Sequence, residues 1–392
     1  MEEKRGSTKV MFGGWYQRTT LHLSEIFEFF VNCKSKLELA PEKLAEYHKN
    51  LKLQSVSREY SNLDYIKAVT NESIEIRYYE DGLYLLEIES EDIENSAILL
   101  KDYFHEAFEP AINYLFSLGA PTPKILSNLH QEHCIVVRKL DKNHNKFAVP
   151  EEFGAVNKKS ISREVSLYKT RDYLFIVGLP SKKESIDAIV EMQIFFSEFK
   201  EQLHRYLNIH RKVWEGISSI KERRSVRGKE VEFYRAELES YKKTIDLINN
   251  RINQMPSYAH TRASLAKRLK IEEELNILLQ YKFEDLFNTL AYIKEIWQMT
   301  ANYVNSAIQI LVEIANKKSV SGIRSIQILA SIGVVTGLVG YLTRDSLPKF
   351  TQVGAIYLGS LALVVLVIDF IIKKYFQHKK YELKFAEIEK KL

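Results

Sequence analysis

The residues best suited to bind a ligand are found together near the amino terminus. Gly13 and Gly14 follow a β-like run at 9–12 and precede a helical pattern at 22–36. Glycines at a strand-to-helix turn let backbone N–H groups approach a phosphate, although a plain turn also favours glycine. The same turn offers a stacking face, an amide, a cation and two hydroxyls, from Trp15, Gln17, Arg18, Thr19 and Thr20. The segment 13–20 is therefore a candidate ligand site.

Further cations suited to a nucleotide follow along the chain. A ligand with phosphates and an adenine ring needs cations, backbone donors and stacking faces. The additional candidates are Arg138, Arg163, Tyr168, Lys169 and Arg171. Chain order alone does not show which of these side chains converge in space.

The sequence contains no recognisable catalytic or metal-binding motif. It has no Walker loop, no HExxH, no GxSxG and no dense His/Asp cluster, and its ten histidines are scattered. The two cysteines, Cys33 and Cys134, have neither disulfide nor metal spacing, which favours a reducing compartment. We therefore predict a protein that is not an enzyme, with no catalytic residues, no metal and no resident cofactor.

The amino-terminal part, 1–178, is predicted to be an α+β domain. The segment 73–89 alternates apolar and polar residues around Glu80-Asp81-Gly82, which predicts a β-hairpin with one solvated face. A helix is predicted over 96–118, with an irregularity near Pro110. The remaining predicted elements are a helix at 41–51 and strands at 55–60, 65–69, 134–140 and 172–177.

Helix-forming residues dominate the next part, 179–324. Pro256 is predicted to break the pattern. The apolar stripe that follows predicts a long stalk helix from about 258 onward, packed either on the preceding antiparallel helix or on helices of other subunits. No globular domain needs a helix of that length, whereas a stalk that enters a membrane does.

Two apolar runs, 325–342 and 353–372, are each long enough to span a bilayer core of about 30 Å. With the connector 343–352 between them, they predict a two-helix transmembrane hairpin in contact with membrane lipid. Lysine and arginine are more abundant on the two outer flanks, so both termini are expected in the cytoplasm and the protein in the inner membrane. The segment 373–392 is expected to be a basic cytoplasmic tail.

The net charge of +5 does not indicate nucleic acid, because much of the excess lies beside the predicted spans. No direct nucleic-acid partner is therefore expected. Within the first predicted span, Gly333 and Gly337 form a small-xxx-small pair, which suits either a narrow pore or plain packing against the second span. The candidate pore residues are Gln327, Ser331, Gly333, Thr336, Gly337 and Gly340.

This order of parts resembles the CorA superfamily of divalent-cation channels. The resemblance implies a pentamer in which the first spans line a pore. Transporting members carry Gly-Met-Asn at the end of that span, whereas this chain has Gly340-Tyr341-Leu342-Thr343 there and no Gly-Met-Asn anywhere. Ordinary magnesium uptake is therefore not expected.

The chain is more similar to the CorA-like membrane effectors of type III CRISPR systems, which also lack that motif; the stretch GGWYQRTTLHLSE contributes to this likeness. The resemblance implies antiviral defence in which a nucleotide second messenger, S-adenosylmethionine joined to AMP, opens or disrupts a membrane. Two alternatives stay open, a divergent divalent-cation channel or transporter and a membrane-anchored enzyme that degrades a nucleotide.

Overall fold

The structure, a computed structural model, describes residues 8–17, 22–119, 134–221, 223, 225–279, 283–342 and 352–382. The chain divides into two compact units, each built from separate stretches of sequence. The first unit comprises Met1–Ile209 and Leu247–Glu295, and the second comprises His210–Asp246 and Ile296–Leu392.

A large mixed sheet lies at the centre of the first unit. In the described part of the chain it has nine strands in the order β2-β3-β4-β5-β1-β6-β9-β8-β7. Strands β6 and β9 pair in parallel, and the other neighbours pair antiparallel. The strands are β1 Thr8–Trp15, β2 Leu53–Tyr60, β3 Asp64–Thr70, β4 Glu75–Tyr79, β5 Leu83–Glu89, β6 Ile135–Leu140, β7 Lys158–Ile161, β8 Val165–Lys169 and β9 Tyr173–Gly178.

Short helices cover one face of this sheet. Val10 and Phe12 of the central strand share a buried core with apolar residues of these helices, such as Phe29 and Phe108. The helices are α1 Leu23–Asn32, α2 Pro41–Leu51, α3 Ile93–Tyr103 and α4 Glu109–Gly119.

The predicted irregularity near Pro110 is confirmed as a π-helical turn, Phe104–Phe108, between α3 and α4. Pro110 has no N–H to continue an α-helical ladder. The N–H of Glu109 reaches the carbonyl of Phe104, five residues back. The widened turn keeps the two helices nearly continuous.

Long helices make up most of the remaining chain. They are α5 Lys183–Lys221, α6 Val231–Arg268, the shorter α7 Glu272–Leu279, α8 Phe283–Leu342 and α9 Gln352–His378. Helix α5 lies close against the sheet face opposite α1–α4. A Cβ added at Gly13 would lie 3.4 Å from Ile194, and one at Gly178 would lie 2.5 Å from Ile186. Glu191 of α5 also contacts Arg77 of β4, so the predicted solvated face of the β4–β5 hairpin is covered by this helix.

Pro256 does not break the helical pattern, contrary to the sequence prediction, and lies inside α6. An interior proline costs a helix about 3 kcal/mol. Ile252, Met255 and Ala259 on either side of it are nearly or fully buried in a continuous stripe. The packing of that stripe stabilises the helix through the proline.

The predicted long helix from 258 onward is interrupted instead at Lys270. This residue adopts φ +56°, and the N–H groups of Lys270 and Ile271 bond to the carbonyls of Lys267 and Ala266. This is a Schellman helix end, for which glycine is the usual residue. Sequence reading missed it because a lysine occupies the left-handed position.

The prediction of a transmembrane hairpin is wrong. Residues of both apolar runs are helical, in α8 and α9. A span needs about 20 consecutive, predominantly apolar helical residues, and no helix in the described ranges is both long and apolar enough to cross a membrane. The assignments as a membrane protein and to the inner membrane, with both termini cytoplasmic, are corrected accordingly.

The second unit has its own small core. Ile220 of α5, Val231 and Leu238 of α6, and Ala307 and Leu311 of α8 are among its buried residues. A two-stranded ribbon joins β10 Ser225–Arg227 to β11 Lys380–Glu382. Part of the predicted basic tail is thus held in a ribbon, which no local pattern indicated.

Candidate ligand site at the end of the central strand

The side chain of Gln17 lies between two long helices just beyond the end of β1. Its Nε2 donates to the carbonyl of Arg251 on α6. Its Oε1 accepts a hydrogen bond from the Tyr206 hydroxyl on α5, at 2.5 Å. The central strand is thereby tied to both helices by one amide.

Aromatic rings surround Trp15, the last residue of β1. Its ring centroid lies 5.2 Å from that of Phe195, 5.8 Å from Phe199 and 5.9 Å from Tyr258. Its indole N–H donates to the carbonyl of Asp81 at 2.8 Å. These contacts hold the strand end in one position against α5 and α6.

Two guanidinium groups lie close to Tyr206. Burial raises the pKa of its phenol to about 12, and the positive charges of Arg251 and Arg205 act against that rise. Tyr206 therefore stays a neutral hydroxyl at physiological pH. Cations, a hydroxyl, an amide and aromatic rings meet here, which is the set of groups that a nucleotide requires.

The neighbouring residue Tyr16 has its side chain on the other face of the sheet, against the core that includes Tyr84. Its hydroxyl has no hydrogen-bond partner among the described residues, and its ring lies 4.9 Å from Tyr84. Burial raises the pKa of this phenol well above its ordinary value, and the negative charge of Glu109 adds to the rise.

A buried ion pair supports the site from the adjacent hairpin. Arg262 of α6 is fully buried and contacts Asp81 through two hydrogen bonds, Nε to Oδ2 at 2.6 Å and Nη2 to Oδ1 at 3.0 Å. The guanidinium lies 5.1 Å from the ring centroid of Tyr79 and 5.4 Å from that of Phe195. Burial acts to lower the pKa of Arg262, but the charge and hydrogen bonds of Asp81, together with the charge of Glu191, raise it overall and the guanidinium stays protonated.

Glu191 of α5 connects this pair to strand β4. Its Oε2 lies 3.5 Å from Arg262 Nη1, and its Oε1 accepts from Arg77 at 2.9 Å and from the Tyr79 hydroxyl at 2.6 Å. One carboxylate thus joins both long helices to the same strand.

Glu87 of β5 continues the network along the sheet. It accepts from Arg77 at 2.5 Å and from Lys9 of β1. Glu75 and Lys67 extend the network through Arg77, so that in the described part of the chain it has four cations and four carboxylates, each in contact with an opposite charge. Such a neutral, internally paired set of charges positions helices and is not itself suited to capture a charged ligand.

The Glu87 carboxylate is expected to make the fold sensitive to acid. Burial acts to raise its pKa, but the charges of Arg77 and Lys9 outweigh burial and lower it. Its contribution to stability is full above the unfolded pKa of about 4.3 and is lost as pH falls through the lower pKa of the folded state. Urea midpoints are to be measured between pH 3 and 7. The midpoint of wild type should fall as the pH drops below about 4.3, and that of Glu87→Gln should fall less steeply. Equal slopes in Glu87→Gln and wild type would contradict the assignment. Glu239→Gln, at a partly exposed ion pair with Arg235, is the control.

The predicted turn residues have different positions from those expected. Gly13 and Gly14 lie within β1, opposite Leu85 and Tyr84, and not in a turn. A Cβ at Gly13 would lie 2.6 Å from the Tyr84 carbonyl oxygen, so close packing explains this glycine. Of the other turn residues, Trp15 and Gln17 belong to the site described above, while Arg18, Thr19 and Thr20 lie outside the described residues.

The other predicted ligand residues do not join this cluster. Arg138 of β6 is fully buried, with its Nε 3.0 Å from Asp187 of α5. Tyr168 is buried in β8, where its hydroxyl donates to the His144 carbonyl at 3.0 Å. The remaining three predicted cations are exposed at and beyond the ends of β8: Arg163, Lys169 and Arg171.

The candidate pore residues all belong to α8. Gln327 and Ser331 are exposed, and the Ser331 hydroxyl donates to the Gln327 carbonyl at 2.8 Å. A Cβ at Gly333 or Gly337 would meet nothing within 4 Å. The side-chain surroundings of Thr336 and Gly340 lie outside the described part. A pore requires a membrane span, so these positions carry no pore assignment.

Sequence reasoning missed Tyr206, Arg205 and Arg251. Tyr206 is 189 residues from Gln17 and Arg251 is 234 residues away, and both belong to ordinary helical patterns. The Gln17 contacts depend on how α5 and α6 pack on the sheet, which no local spacing encodes.

Across the described ranges, no group of three or more His, Cys, Asp or Glu side chains is arranged to hold a metal ion. Comparison with known proteins adds no relative. No family model matches the chain, and neither a curated protein nor a solved structure matches it.

Proposed function

We propose that the first unit binds a nucleotide at the end of β1, and that the chain is a nucleotide-responsive effector without enzymatic activity. The main support is the arrangement of Gln17, Tyr206 and Arg251, where an amide from the central strand, a neutral phenol and a guanidinium-bearing helix meet. Trp15 and Tyr258 supply aromatic faces beside it.

The resemblance to CorA-like effectors supports a specific ligand class. It favours an adenylate-containing second messenger, S-adenosylmethionine joined to AMP, acting in type III CRISPR antiviral defence. The phosphate would face the cations Arg205 and Arg251, and the adenine would stack on the aromatic side of the cluster. The proposal contains no membrane gate. The homo-oligomer implied by the resemblance stays a prediction, which light scattering would check.

Two helices offer a route for the response. Tyr206 belongs to α5 and Arg251 to α6, and both helices continue into segments of the second unit. A ligand that orders these helices at the candidate site acts on elements that the second unit also uses.

Replacing Arg251 with methionine should weaken nucleotide binding at least tenfold, since a hydrogen bond to a charged group contributes about 1.5–3 kcal/mol. Gln17→Leu should act in the same direction by removing the amide that joins β1 to both helices. Calorimetric titration of the full chain with the S-adenosylmethionine–AMP conjugate, with ATP and with inorganic phosphate measures both effects.

Arg268→Met is the matched control, because Arg268 lies on the same helix but is exposed and contacts Asn62. The affinity of Arg268→Met for the nucleotide should equal that of wild type. Absence of binding by all three compounds would refute the proposal. Turnover of the conjugate, seen by chromatography and lost in Arg251→Met, would favour the nucleotide-degrading alternative.

A further inference from the structure

Strand β2 forms one edge of the nine-stranded sheet and pairs with β3 alone. It is eight residues long, and its pairing with β3 is regular from Ser55 to Tyr60. Within the described ranges, the backbone groups of 55–60 that point away from β3 bond to no other backbone group. A regular edge with unpaired N–H and C=O groups is a template for one more strand.

The two edges of this sheet differ in how they are protected against such pairing. Strand β7 at the other edge is only four residues long and carries Lys158 and Lys159. Short length and lysines are common ways of blocking an edge. Strand β2 is twice as long, contains neither lysine nor proline, and leaves Tyr60 72% exposed. The β2 edge is therefore the one suited to accept a further strand.

The charges of β2 are compensated within its own hairpin. Arg58 pairs with Asp64 at 2.6 Å. The Glu59 carboxylate accepts from the Tyr65 hydroxyl at 2.7 Å and from the Ser57 hydroxyl at 2.9 Å. An edge with one cation and one carboxylate has no net charge of its own, so it does not repel an identical edge.

The side chains of β2 are complementary to a second, antiparallel β2. A two-fold axis through Ser57 and perpendicular to the sheet places Ser55 opposite Glu59 and Val56 opposite Arg58, each twice. The hydroxyl then donates to the carboxylate, and the arginine stem covers the valine. Centring the pair on Arg58 or Glu59 would instead place like charges opposite each other. The register centred on Ser57 is therefore favoured.

We propose that β2 is a dimerisation edge, which pairs with β2 of a second copy of this chain and joins the two sheets into one. Such a contact uses the same surface on both copies and closes as a two-fold dimer. It covers the unpaired backbone of both edges at once. The inference is independent of the nucleotide site and of the family resemblance, which implies a pentamer.

The test is sedimentation equilibrium of the full chain over a concentration series, with hydrogen exchange of the β2 amides. Wild type should form a dimer, and amides within 55–59 should exchange more slowly as the dimer forms. Ser55→Glu places two carboxylates opposite Glu59 side chains and should weaken association roughly two- to thirtyfold, whereas Ser55→Lys should strengthen it by a similar factor. Ser55 is exposed, so both variants should fold, which circular dichroism checks.

Ser160→Glu and Ser160→Lys are the matched controls, because Ser160 lies on β7 at the other edge. Both should associate like wild type. A monomer at every concentration, equal association of the two Ser55 variants, or the same changes at Ser160 would each overturn the proposal. Dimers without slower exchange within 55–59 would overturn it in favour of another surface. Slow exchange there in a monomer would overturn it in favour of a segment of the same chain.

Discussion

Replacing Arg262 with methionine is expected to cost the first unit about 3–5 kcal/mol of folding free energy, because it leaves a buried carboxylate without its partner. Asp81 is only 4% exposed and receives both of its guanidinium contacts from Arg262. Methionine keeps an apolar stem beside Tyr79 and Phe195, so the loss reports mainly the charge. Urea unfolding followed by circular dichroism, with hydrogen exchange of β4 and β5, measures it.

A control on the same helix separates this effect from loss of any surface charge. Arg235 of α6 pairs with Glu239 at 3.0 Å, and both side chains are partly exposed, so Arg235→Met should leave unfolding nearly unchanged. Adding Asp81→Asn to Arg262→Met should recover part of the loss, because the orphaned carboxylate becomes neutral. Equal stability of Arg262→Met and wild type would show that the ion pair does not hold α6 on the hairpin.

Replacing Gly82 with alanine should destabilise the first unit by at least about 3 kcal/mol, through backbone strain and overpacking together. Gly82 has φ +89°, and a Cβ there would lie 2.0 Å from the Tyr16 carbonyl oxygen. The Tyr16 N–H also bonds to the Gly82 carbonyl at 3.0 Å, so neither backbone can retreat without losing that bond. The urea midpoint and the yield of folded protein are the measurements.

Gly154 isolates the conformational part of that effect. Its φ is +85°, but a Cβ there would meet nothing within 4 Å. Gly154→Ala should therefore show only the strain of the backbone conformation, about 1–3 kcal/mol. Similar losses in the two variants would mean that the close approach of Gly82 to Tyr16 does not matter for stability.

Local pattern was sufficient where a segment's neighbours in space are also its neighbours in sequence. The hairpin around Gly82 is confirmed, because alternation and a turn signal act over a few residues. The π-helical turn was likewise indicated by Pro110. The same alternation predicted a solvated face, and this was wrong, since Arg77 on that face pairs with Glu87 and with Glu191 of α5.

The long helices show the limit of the pattern more clearly. Pro256 failed to end α6 because a buried stripe on both sides holds it, and Lys270 ended it without a glycine signal. The apolar runs were long enough by residue count, whereas no helix in the described ranges is both long and apolar enough to cross a membrane. For Pro256 and Lys270, a tertiary or backbone property overrode the expectation from residue type.

By itself, the sequence determined the α+β character of the first part, the hairpin and the run of long helices. The tertiary structure alone decided that Gly13 serves close packing against Tyr84, and that Gln17 meets Tyr206 and Arg251. The physical reason is the separation along the sequence over which each effect acts. Turn chemistry and periodicity act between residues a few positions apart, whereas the site is assembled by helices from distant parts of the chain packing on one sheet face.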